Sequence, residues 1–310
     1  MLEKNKIYLG NCIDVLKTFP EKSINCCITS PPYYGLRDYG VDGQIGNEES
    51  PEEYIEKLVS VFDEVKRVLT DDGVLWLNLG DCWAGSNQGS GTKNPTAKQV
   101  SNHGTNYMTT ENHKSKLAKL NGYKPKDLIG IPWMAAFALR DSGWYLRQDI
   151  IWAKGNPMPE SVRDRCTKSH EYIFLLTKSR KYYFDNISIK EPCVSKQPAG
   201  NKNNMNQGRK GKEGWSFNPE NSIPKDGRNK RDVWTVNTKP CKEAHFATFP
   251  DTLIEPCVLA GCPESGIILD PFMGAGTTGM VAKRHNRNYV GIELNPEYIK
   301  IAENRIENYQ

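Results

Sequence analysis

The chain has 310 residues, of which 37% are apolar and 25% charged, and its formal net charge is +4. This length suffices for one large α/β domain or two modest ones, and the composition excludes a wholly disordered chain. No stretch is apolar enough for a signal peptide or a membrane span, so we expect a cytoplasmic protein that does not contact a membrane.

The N-terminal part of the chain alternates strand and helix patterns. Residues 6–28 predict a strand, a helix near 12–19 and a second strand over 24–28, which runs directly into the sequence TSPPY. Further along, Ser50 as N-cap and Glu53 as its capping-box partner predict the start of a long helix. Strands and helices that alternate at this length are typical of parallel sheets.

The remaining chain continues this pattern around two polar insertions. The predicted elements are a turn at 71–73, strands at 74–79, 145–153, 172–177, 267–270 and 288–292, and helices from 132, over 250–260, from 277 and over 296–307. The insertions cover residues 85–124 and 195–242. Loops this long inside a compact fold are usually functional or disordered. The low apolar content of the second insertion also predicts that it contributes little to the core.

The second insertion carries the basic excess of the chain. Residues 195–245 contain eleven Lys and Arg against five Asp and Glu, a net charge of +6, whereas the rest of the chain has −2. Such an excess suits a surface that binds phosphates. A solvated linker is an equally good interpretation of the charge alone.

A glycine-rich turn, DPFMGAGTT, follows the strand that ends at Asp270. Its glycines allow a backbone to approach a ligand closely, and a helix N-terminus opens behind them. The next strand ends near Glu293, where an acid is well placed to bind ribose hydroxyls. The pattern is not GxGxxG, which favours a nucleoside over a dinucleotide. The alternative is a tight structural turn without a ligand.

The TSPPY segment, residues 29–33, predicts a rigid turn after a buried strand. Its prolines stiffen the backbone, and we expect its carbonyls to face outward, so that a carbonyl and the Ser30 hydroxyl could accept hydrogen bonds from an NH₂ group. Tyr33 could stack on a base that has left the duplex. An aromatic amine is a poor nucleophile, and holding both of its N–H bonds would expose the lone pair. A Pro-Pro surface turn is the alternative.

The nine cysteines show no CxxC pair and no His/Cys zinc pattern, so we expect no disulfide framework and no metal. Methylation of cytosine C5 would need a thiolate after a proline, but Pro31 is followed by Pro32 and Tyr33. The HxE…PCxxC pattern of zinc deaminases is also absent.

TSPPY, DPFMGAGTT and the following GIELN, in this order, resemble the β class of amino DNA methyltransferases, which act on adenine N6 or cytosine N4. The resemblance covers nearly the whole chain outside the insertions. It implies a doubly wound, mostly parallel seven-stranded methyltransferase sheet with one antiparallel strand. Within this domain it implies a target-base part at 1–194, a target-recognition region at 195–242 and a cofactor-binding part at 243–310.

The resemblance also implies the site residues, with S-adenosylmethionine as cofactor. The catalytic residues would be Ser30, Pro31, Pro32 and Tyr33. The cofactor-binding residues would be Asn11, Asp270, Phe272, Gly274, Gly276, Thr277, Thr278 and Glu293. Asn11 departs from the Asp usual in the family but keeps a hydrogen-bond acceptor.

Three further polar residues stand in segments that resemble later motifs of the family: Asp81, Asp149 and His245. The segments are 78–81, 147–152, 170–172 and 245–250. A purely structural hydrogen-bonding role for these three residues is an equally good interpretation, since polar residues at strand ends often only cap their neighbours.

The expected partner is double-stranded DNA. The candidate DNA contacts in the target-recognition region are Arg209, Lys210, Lys212, Arg228, Lys230 and Arg231, with Trp215 and Phe217 as wedges or packing residues. The sequence leaves open whether the protein is a monomer or a homodimer, and whether a cognate restriction endonuclease accompanies it.

Ser rather than Asp at position 30 resembles the N4-cytosine group of the family. We therefore predict base flipping and direct in-line methyl transfer to cytosine N4 in DNA. Transfer to adenine N6 is the first alternative. The second is an inactive DNA-binding module of the same fold, and RNA is a weaker alternative as substrate.

Overall fold

The computed structural model describes residues 2–36, 43–85, 120–192, 227–239 and 248–308. Its strands are β1 (Lys6–Leu9), β2 (Ile24–Thr29), β3 (Leu69–Leu79), β4 (Tyr145–Ala153), β5 (His170–Thr177), β6 (Val233–Thr235), β7 (Ile267–Asp270) and β8 (Asn288–Glu293). Its helices are α1 (Cys12–Lys17), α2 (Pro51–Val68), α3 (Ile131–Asp141), α4 (Asp251–Gly261), α5 (Thr277–Arg284) and α6 (Pro296–Glu307). The alternation of strands and helices predicted from the sequence is confirmed.

The strands form one sheet in the order β1-β8-β7-β2-β3-β5-β4-β6. Within the described part of the chain, β5 alone runs antiparallel to its neighbours, as expected. The sheet has eight strands rather than the expected seven, because the three-residue β6 pairs in parallel with β4 and extends the sheet at that edge.

Strand β6 lies in the polar stretch that we expected to contribute little to the core. Trp234 at its centre is buried, and its indole N–H donates to the Arg231 carbonyl at 2.6 Å. Next to it, the indole N–H of Trp152 donates to the Val236 carbonyl at 2.8 Å. Two tryptophans therefore attach this segment to the sheet. Composition averaged over the whole polar stretch does not reveal this attachment.

The predicted capping residues begin helix α2. The Ser50 hydroxyl accepts a hydrogen bond from the Glu53 amide at 3.2 Å. The Glu53 carboxylate returns to the amide of Glu49 at 3.1 Å, one residue before the position that a standard capping box uses. The turn predicted at 71–73 lies inside strand β3, which begins at Leu69 and shows an irregular register with β2 before Val74.

Successive strand residues point to opposite faces of the sheet, and helices cover both faces, so the sheet is buried on both sides. Leu75 and Leu77 belong to one core with helices α1, α2 and α3, whereas Val74 and Trp76 belong to the other core with α4, α5 and α6. Among the described residues, no helix combines the length and apolar character needed to span a bilayer. The doubly wound fold expected from the sequence is confirmed.

The chain reverses its direction of travel across the sheet between β2 and β7. From β2 the chain continues to its neighbour β3, whereas from β7 it continues to β8 on the other side. In open α/β sheets, the crevice outside the carboxyl ends of the strands at such a switch point is the usual ligand site. The fold thus points to the residues that follow β2 and β7.

A buried carboxylate joins the ends of these two strands. One oxygen of Asp270 accepts hydrogen bonds from the Thr29 hydroxyl at 2.6 Å and the Phe272 amide at 3.1 Å. The other oxygen accepts from the Thr278 hydroxyl at 2.6 Å. Burial of the carboxylate raises its pKa to about 6, although these hydrogen bonds favour the charged form.

Replacing Asp270 with Asn tests this burial. Because the pKa of about 6 in the folded protein lies above the ordinary 3.8, the folded state binds a proton that the unfolded chain has released between those values. The free energy of unfolding should therefore fall as the pH rises from about 4 to 6, by up to ~1.4 kcal/mol per pH unit.

The variant Asp270→Asn should lack this slope. Urea unfolding of both proteins between pH 4 and pH 7 measures the difference, and other titrating groups cancel in the comparison. Stability curves that stay parallel over this range would contradict the buried, ionisable Asp270.

Candidate active site

The carboxyl ends of β1, β8, β7 and β2 lie side by side at one edge of the sheet. They bring Asn11, Glu293, Asp270 and Ser30 to the same edge, although these residues are far apart in the chain. The two motifs on which the sequence interpretation depends therefore meet at the switch point.

Glu293, at the end of β8, is fixed by backbone amides. Its two carboxylate oxygens accept hydrogen bonds from the Gly274 amide at 2.8 Å and the Asn295 amide at 2.9 Å. Burial raises the pKa of the Glu293 carboxyl, and these backbone amides oppose that effect. A carboxylate has about four acceptor positions, so each oxygen can still accept a bond from a ligand hydroxyl.

Asn11 lies beside Glu293, because β1 pairs with β8 and the Gly10 amide donates to the Glu293 carbonyl at 3.0 Å. The side-chain oxygen of Asn11 accepts a hydrogen bond from the Ile13 amide at 2.9 Å and caps helix α1. Its side-chain NH₂ group lies near Gly43, since a Cβ atom added there would be 3.8 Å from it. Asn11 therefore both begins a helix and borders the site.

The glycines of the turn between β7 and α5 have distinct roles. Gly276 adopts a φ of +78°, and a Cβ atom there would lie 2.8 Å from Cβ of Ala302 in α6. Gly274 adopts a φ of +50°, but an added Cβ would meet no atom closer than 3.9 Å. Gly276 is thus required by helix packing, whereas the backbone at Gly274 faces open space that a ligand could fill.

The other residues of this turn are mostly committed to structure. The Asp270 carboxylate and the Thr278 hydroxyl bind each other, and the Thr277 hydroxyl lies 3.4 Å from the guanidinium of Arg305. Phe272 packs against the core on the α1 face of the sheet. These residues shape the turn around Gly274.

After β2, the TSPPY turn is anchored from behind. Pro31 is buried, and the Pro32 carbonyl accepts a hydrogen bond from the Tyr54 hydroxyl in α2 at 2.8 Å. The sequence led us to expect outward-facing proline carbonyls. For Pro32 this was wrong, because a buried tyrosine of the neighbouring helix occupies its oxygen.

Tyr33 lies over the end of β3. A Cβ atom added to Gly80 would stand 2.6 Å from Cε2 of the Tyr33 ring, so only glycine permits this contact. The Tyr33 hydroxyl donates to a carboxylate oxygen of Glu171 at 2.6 Å. The Ser30 hydroxyl lies 3.4 Å from the Tyr33 hydroxyl oxygen. Burial is the largest cause that raises the pKa of Tyr33 well above its usual value, and the negative charge of Glu171 is the second.

Two residues of this cluster had no role in the sequence interpretation. Glu171 stood in a segment that resembles a family motif, but no function was assigned to it, and Lys154 was not singled out. The Lys154 ammonium group forms an ion pair with the second oxygen of Glu171. Their positions in the predicted strands could have identified them, because β4 ends just before Lys154 and β5 begins just before Glu171, at this edge of the sheet.

The three additional polar candidates fall in different places. One oxygen of the Asp81 carboxylate accepts hydrogen bonds from the amides of Cys82, Gly130 and Ile131 and so caps helix α3. Asp149 is exposed on β4. His245 lies outside the described residues. For Asp81 the structural interpretation is thus supported by three backbone hydrogen bonds.

Of the candidate DNA contacts, the structure describes three basic residues and leaves the others outside the described ranges. Arg228, Lys230 and Arg231 surround Glu191, with nitrogen-to-oxygen distances of 3.3, 3.6 and 3.4 Å. The structure does not describe Arg209, Lys210, Lys212, Trp215 or Phe217. Within the described ranges, no cluster of three or more His, Cys, Asp or Glu side chains is arranged to bind a metal ion.

Two solved structures share this fold. The PvuII DNA methyltransferase (cytosine-N4-specific) aligns with a TM-score of 0.62 and 19% identity, over 100% of this chain and 95% of that one. TTHA0409 from Thermus thermophilus, solved in complex with S-adenosyl-L-methionine, aligns with a TM-score of 0.58 and 23% identity, over 98% and 95% of the two chains. At these identities the likeness concerns the fold.

Sequence comparison identifies the family. A family model described as DNA methylase matches residues 24–304. The Type II methyltransferase M.Cfr9I of Citrobacter freundii is 46% identical over 304 residues, which cover 97% of this chain and 87% of that protein. M.SmaI of Serratia marcescens is 45% identical over 306 residues, 98% and 91% of the two proteins. The chain therefore belongs to the N6/N4 DNA methylase family, as a Type II DNA methyltransferase.

Proposed function

We propose that the protein transfers a methyl group from S-adenosylmethionine to the N4 amino group of a cytosine flipped out of double-stranded DNA. The observation that carries this proposal is the join between β2 and β7, where Thr29 and Asp270 are hydrogen-bonded at 2.6 Å. This bond holds the Ser30–Tyr33 turn beside the glycine turn. The two halves of a methyl transfer, an amine and its methyl donor, would need such neighbouring sites.

The residues of the glycine turn fit S-adenosylmethionine. The open backbone at Gly274 and the free acceptor positions of Glu293 suit a nucleoside with ribose hydroxyls. Asn11 borders the same end of the sheet and would lie near the adenine. When bound, this cofactor supplies an electrophilic methyl group on a sulfonium. The structure of TTHA0409 with this cofactor, in the same fold, supports the assignment.

The turn after β2 would hold the target amine. Ser30 Oγ and the Pro31 carbonyl, the proline carbonyl not bonded by Tyr54, would accept its two N–H bonds. Tyr33, held over Gly80, would stack on the base. Gripping both hydrogens favours a tetrahedral nitrogen with an available lone pair. No side chain of the site would form a covalent intermediate.

Cytosine is proposed over adenine because residue 30 is Ser, as in the N4 group that the sequence resembles. The PvuII enzyme of the same fold is cytosine-N4-specific, which agrees with this choice. Contacts of Arg228, Lys230 and Arg231 with DNA, a homodimer, and a restriction endonuclease of matching specificity stay predictions of the sequence interpretation.

The base is tested by digesting DNA from cells that express the protein and separating the nucleosides by mass spectrometry. We expect N4-methylcytosine, and long-read sequencing of the same DNA reports its sequence context. N6-methyladenine in its place would select the first alternative. Absence of methyl transfer from labelled cofactor, to DNA or to RNA, would identify an inactive module.

The variant Tyr33→Ala should lower kcat by about 10²-fold, because the base loses its stacking partner and its position. Its affinity for S-adenosylmethionine, measured by isothermal titration calorimetry, should stay at the wild-type value, because the cofactor binds around β7 and β8.

The variant Glu293→Ala should show the opposite pattern, with affinity for the cofactor lower by about tenfold or more. Glu297→Ala is the matched control, because that carboxylate is exposed and pairs with Lys300 on α6. Equal losses of cofactor affinity in Tyr33→Ala and Glu293→Ala would contradict the separate roles of the two turns.

A further inference from the structure

The Tyr33 hydroxyl has three oxygen neighbours but only one hydrogen to donate. Glu171 Oε2 lies at 2.6 Å, Asn78 Oδ1 at 3.3 Å and Ser30 Oγ at 3.4 Å. The direction of each hydrogen bond in this cluster therefore depends on which neighbour receives that hydrogen.

The geometry selects Glu171 as the acceptor. A carboxylate can only accept, hydrogen bonds to charged groups are shorter and stronger than neutral ones, and Glu171 is the nearest neighbour. Asn78 Nδ2 donates to the Tyr172 carbonyl at 3.0 Å and also approaches Glu171 Oε2 at 3.3 Å. The other carboxylate oxygen is occupied by Lys154.

The direction of the next bond follows from this choice. Because the Tyr33 hydrogen points to Glu171, the Tyr33 oxygen can only accept from Ser30, whose hydroxyl is within reach. Ser30 then donates its single hydroxyl hydrogen to Tyr33. The lone pairs of Ser30 Oγ are left for the target base, so at this atom the site can accept a hydrogen bond but not donate one.

We propose that Glu171 is a positioning residue that, through Tyr33, fixes Ser30 as a hydrogen-bond acceptor and so makes the site select an amino group over a carbonyl at the target atom. The inference rests on the proposed function, since it concerns the same base site. It adds a source of selectivity that lies two hydrogen bonds from Ser30 and three from the base. Lys154 supports it by holding the Glu171 carboxylate in place.

Replacing Glu171 with Gln should remove this control with little change in shape. The Lys154 ammonium group can bind only the amide oxygen, so the amide NH₂ would turn towards Tyr33. The Tyr33 hydrogen would then go to Asn78 or to Ser30, which lie at nearly equal distances. Ser30 would present either a lone pair or a hydrogen to the base.

The test uses duplex oligonucleotides that carry the methylated sequence with either cytosine or uracil at the target position. Uracil places a carbonyl oxygen where cytosine has its amino group. We measure the affinity of each duplex in the presence of S-adenosylhomocysteine, so that no methyl transfer occurs. The wild type should prefer cytosine, and Glu171→Gln should reduce this preference by about tenfold. If the methylated base is adenine, hypoxanthine replaces uracil in the same comparison.

The matched control is Glu160→Gln. Glu160 lies between β4 and β5, eleven residues before Glu171, and binds Arg165 at 2.6 Å, without a contact to Tyr33. Its substitution removes the same charge and should keep the wild-type preference for cytosine. The affinity of Glu171→Gln for S-adenosylmethionine should also match the wild type.

The variant Tyr33→Phe breaks the same connection from its other end and is informative even if Glu171→Gln is unstable. It should reduce the preference for cytosine to a similar extent, and adding Glu171→Gln to it should cause little further loss. Additive losses in the double variant, or an unchanged preference in Glu171→Gln, would overturn the inference. A wild-type protein that methylates no DNA would instead overturn the proposed function.

Discussion

The buried Asp270 carboxylate is the interaction on which the site depends. It binds Thr29 at the end of β2 and Thr278 at the start of α5, each at 2.6 Å. These bonds align the ends of two strands that are far apart in the chain. Because an isolated buried charge is costly, the carboxylate is tolerated only with its hydrogen bonds intact. The geometry between the two turns is consequently well defined.

The two turns differ in how their residues are used. In the glycine turn, most side chains are committed to packing or to internal hydrogen bonds, and the open feature is the backbone at Gly274. In the turn after β2, the atoms proposed to act on the base are the Pro31 carbonyl and the Ser30 and Tyr33 side chains, and Tyr33 is held by Gly80 and Glu171. In the proposed function, a bound nucleoside would meet the Gly274 backbone and the Glu293 carboxylate, and a base would meet the Ser30 hydroxyl and the Tyr33 ring.

Two charged residues behind the proposed base site come from strand β5 and from the end of its neighbour β4. Glu171 is the second residue of β5, and Lys154 follows β4, so the reversal of β5 brings a strand start and a strand end to the same edge. A fully parallel sheet would place only strand ends there. Strand β5, antiparallel to its neighbours, thereby supplies the carboxylate that binds Tyr33, and the end of β4 supplies the cation that pairs with this carboxylate.

The local sequence was sufficient for most of the elements and for the two turns of the site, although not for β6 or for residues 71–73, which lie inside β3. Ser50 and Glu53 mark the start of α2, apolar runs mark the strands, and TSPPY and DPFMGAGTT identify the family, because capping, periodicity and backbone stiffness are short-range properties. Tertiary structure alone decided the hydrogen bond from Thr29 to Asp270, the contacts of Glu171 with Tyr33, and the eighth strand around Trp234. Strand order and the direction of a shared hydrogen depend on residues distant in the chain, and no local pattern contains that information.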